Sequence, residues 1–309
     1  MNKANDQMKK FKNITKKISN LCFIFGLFLL MGIPDSHGMV IKANKVAQDL
    51  PLDPEASLWD SATPLEIPLA SQVVARPRHY EGSVKEIKVK ALHNGKEIAF
   101  LLEWKDQTKD ASYELVHAFS DGVAFQFPSE RGGAKPHFAM GHEEAIVNIW
   151  SWKAVHTETH DQKVPYAVVD DFLAGLKAEN PVSRKGVSIQ NLQSGGFGTL
   201  TEMEQKAQPV SGAGQWASDR WKVVLKRSIQ SHEKKEAKFV EGELTPLAVA
   251  VWDGSRGERG SRKTISTWHY VALEGEVSTL VYLYPFFAFL VTGGLMIGLV
   301  LFVRKRKRN

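Results

Sequence analysis

Cysteine is nearly absent: the 309-residue chain has one, Cys22, close to the N-terminus. Beyond it there can be no disulfide, no thiolate-held cluster and no Cys-x-x-Cys-His attachment of a covalent haem. A nucleotide loop is lacking too. "SGGFGTL" (194–200) is glycine-rich, but it does not match G-x-G-x-x-G and no strand–helix unit frames it. No hydrolase signature is found. Methionine is scarce in the body of the chain, where only Met39, Met140 and Met203 fall between the two apolar ends.

An excess of basic charge is also missing once the ends are set aside. The whole chain carries +6, but six lysines sit in the first 38 residues and five cations close the chain. Residues 39–303 hold 29 basic against 32 acidic groups, a net charge of −3. The positive total therefore belongs to targeting and topology, and nucleic acid is excluded as a partner.

The ends themselves are informative. Lys3, Lys9, Lys10, Lys12, Lys16 and Lys17 precede the apolar "LCFIFGLFLLMGI" (21–33), and "PDSHG" places small residues at Ser36 and Gly38. That order describes a signal peptide over 1–38, cleaved before Met39; without an Arg-Arg pair the expected route is general secretion. From Leu280 to Val303 the chain has 24 residues without a charge, then "RKRKRN". About 20 apolar residues span a bilayer, and a basic tail stays on the cytoplasmic side. The expectation is an exported domain over 39–278, a transmembrane helix over 279–303 and a basic cytoplasmic tail over 304–309.

Between those ends the pattern is strands. In "VKEIKVKALHNGKEIAFLLEW" (84–104), Ile87, Val89 and Ala91 alternate with lysines, and Ile98, Phe100, Leu102 and Trp104 alternate after Asn94-Gly95. Asn-Gly suits a tight hairpin turn. Similar runs follow at 122–127, 145–152, 220–229, 245–252 and 266–273, punctuated by Gly, Pro, Asp and Ser. The fold expected is all-β, an antiparallel β-sandwich. Residues 155–215 break the pattern and are expected to be a long insertion, with a short helix over 168–179 and loops at "SGGFGTL" and "PVSGAGQW".

Candidate chemistry in the exported domain is sparse. "HTETHD" puts His156, Glu158 and His160 on one face if extended, a metal-capable spacing that equally describes a polar strand face. Asp170 and Asp171 are adjacent and read as solvated charge. Met140, between His137 and His142 in "HFAMGHEEAIVNIWSWKA", is by residue type alone either core filling or a sulfur ligand; the two histidines are the commoner haem ligands.

Four words in order, "FSDGVAFQFP" (119–128), "MGHEEAIVNIWSWKA" (140–154), "WKVVLKRSI" (221–229) and "AVAVWDGSRGERGSRKTISTW" (248–268), resemble the haem-binding gamma subunits of ethylbenzene dehydrogenase and its relatives. Those relatives include the gamma subunits of dimethylsulfide dehydrogenase, selenate and chlorate reductases and nitrite oxidoreductases. The resemblance implies a β-sandwich holding one non-covalent haem b between an axial methionine and an axial lysine, which map to Met140 and to Lys263 of "GSRKTIS". His142 stays an alternative ligand, and Lys153, Lys206 and Lys226 are alternatives to Lys263. Arg262 and Arg227 are candidates to pair with haem propionates. Trp150, Trp152, Trp252 and Trp268 are expected in the core or the pocket wall.

Two protein ligands fill both axial positions and leave none for substrate, so the implied role is electron transfer, not catalysis. The implied partners are a molybdenum-containing catalytic subunit, an Fe–S subunit and a soluble or membrane electron carrier. The apolar C-terminal segment favours a membrane-tethered complex of the nitrite-oxidising or nitrate-reducing type. The competing expectation is a membrane-tethered β-sandwich that binds a ligand or another protein and carries no redox cofactor.

Overall fold

The hairpin expected at Asn94-Gly95 is the centre of the fold. In the computed structural model, β4 (Glu86–His93) and β5 (Glu97–Lys105) pair antiparallel across a turn in which Gly95 has φ 82° and Asn94 Oδ1 accepts from the amides of Lys96 and Glu97. The structure describes residues 39–111, 119–131, 136–154, 188–203, 210–231, 233, 235–275 and 280–306. The expected signal peptide, His156, Glu158, His160, Asp170, Asp171, Lys206 and the helix over 168–179 lie outside the described residues.

The remaining strands are β1 (Val40–Lys45), β2 (Leu65–Pro68), β3 (Ala70–Ser71), β6 (Gly122–Pro128), β7 (Val147–Lys153), β8 (Ile189–Ser194), β9 (Thr201–Glu202), β10 (Ser211–Ala217), β11 (Arg220–Ser228), β12 (Leu244–Trp252), β13 (Thr264–Ile265) and β14 (His269–Leu273). They form two sheets that share β12. One runs β10-β11-β5-β4-β1-β14-β12, the other β12-β6-β7-β8-β9, with β2 added beside β4 and β3 joined through β13 to β12. β12 changes sheets along its length: Leu244–Leu247 pair with β14, and Ala248–Trp252 pair with β6.

The two sheets face each other across an aromatic core. Phe100 of β5 packs on Phe125 of β6 with ring centroids 4.9 Å apart, and Trp152 of β7 meets Trp221 of β11 at 4.9 Å. Trp104, Trp150, Phe127 and Phe239 complete this layer. Large aromatics bury the most apolar area per residue, which a thiol-free domain needs because its core alone must hold it. The outer face of the first sheet is covered by the segment carrying Leu50, Trp59 and Ala62, packed on Leu92, Leu101 and Val224.

Three differences from the sequence expectations stand out. The sandwich is mostly antiparallel, but β1 pairs parallel with both β4 and β14. Tight hairpins force antiparallel pairing; β1 is joined to β4 by the long stretch 46–85 and is free of that constraint. Within the span expected to be an insertion, β8 and β10 are full members of the two sheets. "SGAGQWA" forms a strand because a Cβ at Gly214 would come within 2.2 Å of the Trp152 ring, and one at Gly212 within 2.1 Å of the Val224 carbonyl. Glycine there allows close approach, not a turn. Finally, Leu280–Arg306 is one helix of 27 residues with Phe286, Phe287, Phe289 and Leu295 exposed. Among the described residues, no helix is long and apolar enough to cross a membrane; a spanning segment at 279–303 rests on the uncharged sequence.

Candidate haem site

Side chains alternate across a strand, so the second sheet has an inner and an outer face. On β6, Val123, Phe125 and Phe127 point into the aromatic core, leaving Gly122, Ala124 and Gln126 on the other face. On β12, Val249 and Val251 go inward while Ala250 and Trp252 go outward; on β7, Trp150 and Trp152 belong to the core and Ile149, Ser151 and Lys153 go outward. Several of these outward residues are small. Their missing volume, walled by the segments 72–76, 197–200 and 258–263, is a cavity of about 390 Å³. The cavity lies on the outer face of the second sheet, not between the sheets. Ala124, Val147, Ile149 and Leu192 make an apolar floor against which Met140, Trp252 and Trp268 pack.

Met140 and Lys263 meet here, with Lys263 Nζ 3.8 Å from Met140 Sδ. Met140 holds a left-handed backbone, φ 75°, which costs a residue with a Cβ about 1–3 kcal/mol. Its neighbours fix it: the Met140 amide donates to Gln126 Oε1 at 3.0 Å, its carbonyl accepts from Gly196 at 2.9 Å, and Gly141 follows at φ 71°. Lys263 is set just ahead of β13, where its carbonyl accepts from the Gln72 amide at 3.0 Å. Its side chain is 9% exposed, and Nζ lies 4.8 Å from the Trp252 ring centroid. Burial pushes the Lys263 amine down to about 8.

The wall carrying Lys263 is braced by a buried carboxylate. Glu258 Oε1 accepts from Ser83 N and Oγ and lies 2.7 Å from His79 Nε2, and Oε2 accepts from the Asp253 amide at 3.1 Å. Gln72 Nε2 donates to the Ser261 carbonyl at 2.8 Å. At the mouth, Arg76 and Arg259 are exposed, and the Arg259 guanidinium stacks 4.1 Å from the Phe119 ring centroid.

The other residues singled out in the sequence are elsewhere. Arg227 lies in the main core, stacked 4.9 Å from the Trp150 ring centroid and 3.6 Å from Glu236 Oε2, and donates through Nε to the Ser228 carbonyl. Arg262 borders the lysine but does not line the cavity, and its Nε is buried without a partner among the described residues. His142 forms a backbone bridge with Ala145, and exposed His137 stacks on Phe138; neither lines the cavity. Lys226 donates to the Leu50 carbonyl, whereas Lys153 does line the cavity. Trp150 and Trp152 are core; Trp252 is wall. Sequence reasoning passed over Gln72, Arg76, Glu258 and Arg259. The last two lie inside "DGSRGERGSRK", and small residues on the outward positions of β6 and β12 were a readable sign of the cavity.

A thioether and an amine at this separation, in a space bounded by an apolar floor and a cationic mouth, suit a flat apolar cofactor with an anionic edge. Two donors flanking one first-row metal ion stand about 4.3 Å apart on the scale of zinc–sulfur and zinc–nitrogen bonds. The observed 3.8 Å needs a small outward movement of either side chain. The donor set and the cavity fit haem.

The fold and this pocket define a β-sandwich whose outer cavity brings a methionine and a lysine together. Residues 56–264 match the pattern of the ethylbenzene dehydrogenase family, and the chain belongs to that family. It is 28% identical to a protein of Haloferax mediterranei named as a respiratory nitrate reductase heme subunit, over 73% of this chain and 69% of that one. It is 24% identical to the chlorate reductase gamma subunit of Ideonella dechloratans, over 74% of this chain and 81% of that one. Identity to the dimethylsulfide dehydrogenase gamma subunit of Rhodovulum sulfidophilum is also 24%, covering 70% and 72%.

Proposed function

We propose that this chain is the electron-transfer subunit of an oxidoreductase complex, holding one non-covalent haem b between Met140 and Lys263. The observation that carries this reading is the 3.8 Å approach of Lys263 Nζ to Met140 Sδ inside the cavity, from positions 123 residues apart. When bound, the haem supplies a one-electron couple. Met140 offers a sulfur that favours the reduced iron. Lys263 must offer a neutral amine, and its burial removes most of the cost of losing the proton: a fall from 10.5 to about 8 is worth about 3 kcal/mol. Arg76 and Arg259 at the mouth, rather than Arg227, are placed to meet propionates.

The partners in this reading are a molybdenum-containing catalytic subunit, an Fe–S subunit and an external electron carrier, supported by relatives named as gamma or heme subunits of reductases and a dehydrogenase. A nitrate-reducing or nitrite-oxidising type is favoured. Residues 1–38 would direct export, and the uncharged run Leu280–Val303 followed by five cations would tether the complex with its sandwich outside the cytoplasm. Extraction with alkaline carbonate should leave the chain in the membrane pellet, and truncation before Leu280 should release it.

The deciding test is an oxidised-minus-reduced absorption spectrum of the chain purified with haem available. A low-spin b-type spectrum is expected, turned high-spin or lost in Met140→Ala and in Lys263→Ala. A well-folded chain that takes up no haem would overturn the reading in favour of a binding module without a redox cofactor.

A further inference from the structure

Beside the haem cavity, three aspartates meet where β5, β6 and β12 end or begin. Asp106 follows β5, Asp121 precedes β6 and Asp253 follows β12; they are 4%, 0% and 7% exposed. One oxygen from each lies within 4.8 Å of the others. We propose that these three carboxylates bind one divalent cation, Ca²⁺ by size and donor type.

The cluster is organised as a set of acceptors. Asp121 Oδ1 accepts from the Gly254 amide at 2.8 Å, and Oδ2 accepts from the Asp110 amide at 2.8 Å and the Trp221 indole at 2.9 Å. Asp253 Oδ1 accepts from Ser255 Oγ at 2.6 Å, and Asp106 Oδ1 from the Thr108 amide at 3.1 Å. Asp106 Oδ2, by contrast, is buried and has no hydrogen-bond partner among the described residues. Native proteins rarely leave a buried carboxylate oxygen unpaired, and a bound cation is one standard reason. Burial, then the neighbouring carboxylate charge, pushes Asp121 up to about 8 and Asp106 up to about 6. A bound cation would offset the cost of burying these charges together.

An all-oxygen donor set with no His or Cys selects a hard ion. Oxygens sharing one Ca²⁺ stand up to about 5 Å apart, those sharing one Mg²⁺ up to about 4.2 Å, and Mg²⁺ tolerates irregular geometry poorly. The site also bears on the haem cavity. Asp253 and Gly254 open the segment that ends in Lys263, and the Asp253 amide holds Glu258 Oε2. A cation would pin the start of that wall.

The test uses the full chain, haem-depleted and treated with chelator, so that its result does not depend on Met140 or Lys263. Tb³⁺ should be sensitised through Trp221, whose indole touches Asp121, and Ca²⁺ should displace it at one ion per chain with Kd on the order of 10⁻⁴–10⁻³ M. At ten times Kd, Ca²⁺ should raise Tm by roughly 3–6 °C, and Mg²⁺ by less. Asp106→Asn should bind Ca²⁺ at least roughly tenfold more weakly, while its Tm in chelator equals or exceeds that of the unsubstituted protein, because a buried like-charge contact is gone. If Asp106→Asn fails to fold, Asp253→Asn and the titration of the unsubstituted chain decide the matter. A folded chain with neither Tb³⁺ luminescence nor a Ca²⁺ shift overturns the site. So does Asp106→Asn responding as the unsubstituted chain does. An equal shift with Mg²⁺ overturns the assignment to Ca²⁺.

Discussion

Replacing Lys263 with methionine should stabilise the haem-free chain at neutral pH, and the effect should vanish in alkali. Lys263 is 9% exposed, and burial lowers its amine from 10.5 to about 8. Each unit is worth about 1.4 kcal/mol, so at pH 7 the buried ammonium costs the folded state about 3 kcal/mol. Its contact with the Trp252 ring returns part of that, about 0.5–1 kcal/mol. Methionine has similar volume and no charge, so Lys263→Met should gain about 2–3 kcal/mol at pH 7. Between pH 8 and 10.5 the unfolded lysine still holds a proton that the folded one has released. The unfolded state then binds more protons, and the stability of the unsubstituted protein rises with pH through that window. The gap between the two proteins should therefore shrink towards zero by about pH 10.5. Urea unfolding followed by tryptophan fluorescence, on both haem-free proteins from pH 6.5 to 10.5, measures this gap directly. A gap that does not change with pH, or a variant less stable at pH 7, would refute the reasoning and return Lys263 to the role of an ordinary structural cation.

Two further substitutions separate core from site. Arg227→Ala leaves the buried Glu236 carboxylate with its hydrogen bonds from Asn191 and Ser231 but no cation, and removes the stack on Trp150, so it should cost about 3–5 kcal/mol in urea unfolding, while whatever protein folds keeps an unaltered haem spectrum. A propionate partner would do the reverse. Gly214→Ala drives a Cβ into the Trp152 ring, where the closest ring atom would be 2.2 Å away, and should cost about 1–3 kcal/mol and lower Tm.

How far the sequence could be read depended on how local the determining forces are. The β4–β5 hairpin was legible because its signals, alternation and Asn-Gly, sit within twenty residues of one another. β10 was not, because the reason for Gly212 and Gly214 is the distant backbone at Val224 and the Trp152 ring, which no window around "SGAGQW" contains. Arg227 read as a candidate propionate partner; its place in the main core beside Glu236, which comes from a separate loop, is not written in the residues around it. The proximity of Met140 and Lys263 came from resemblance, since a separation of 123 positions hides any spacing rule. The small residues of "GVAFQF" and "LAVAVW" did announce room on one face, but only the sheet order shows that both faces belong to neighbouring strands.

β12 carries Val249 and Val251 into the aromatic core and Ala250 and Trp252 into the cavity, on one backbone shared by both sheets. The floor of the cavity cannot open without parting the sheets, so its amides should exchange hydrogen only at the rate of global unfolding. The walls at 72–76, 197–200 and 258–263 are not bound in that way and can open locally at lower free energy. Whatever enters or leaves the cavity does so past the walls. Its residence time is then a property of three short segments, adjustable by substitution there without touching the stability of the sandwich.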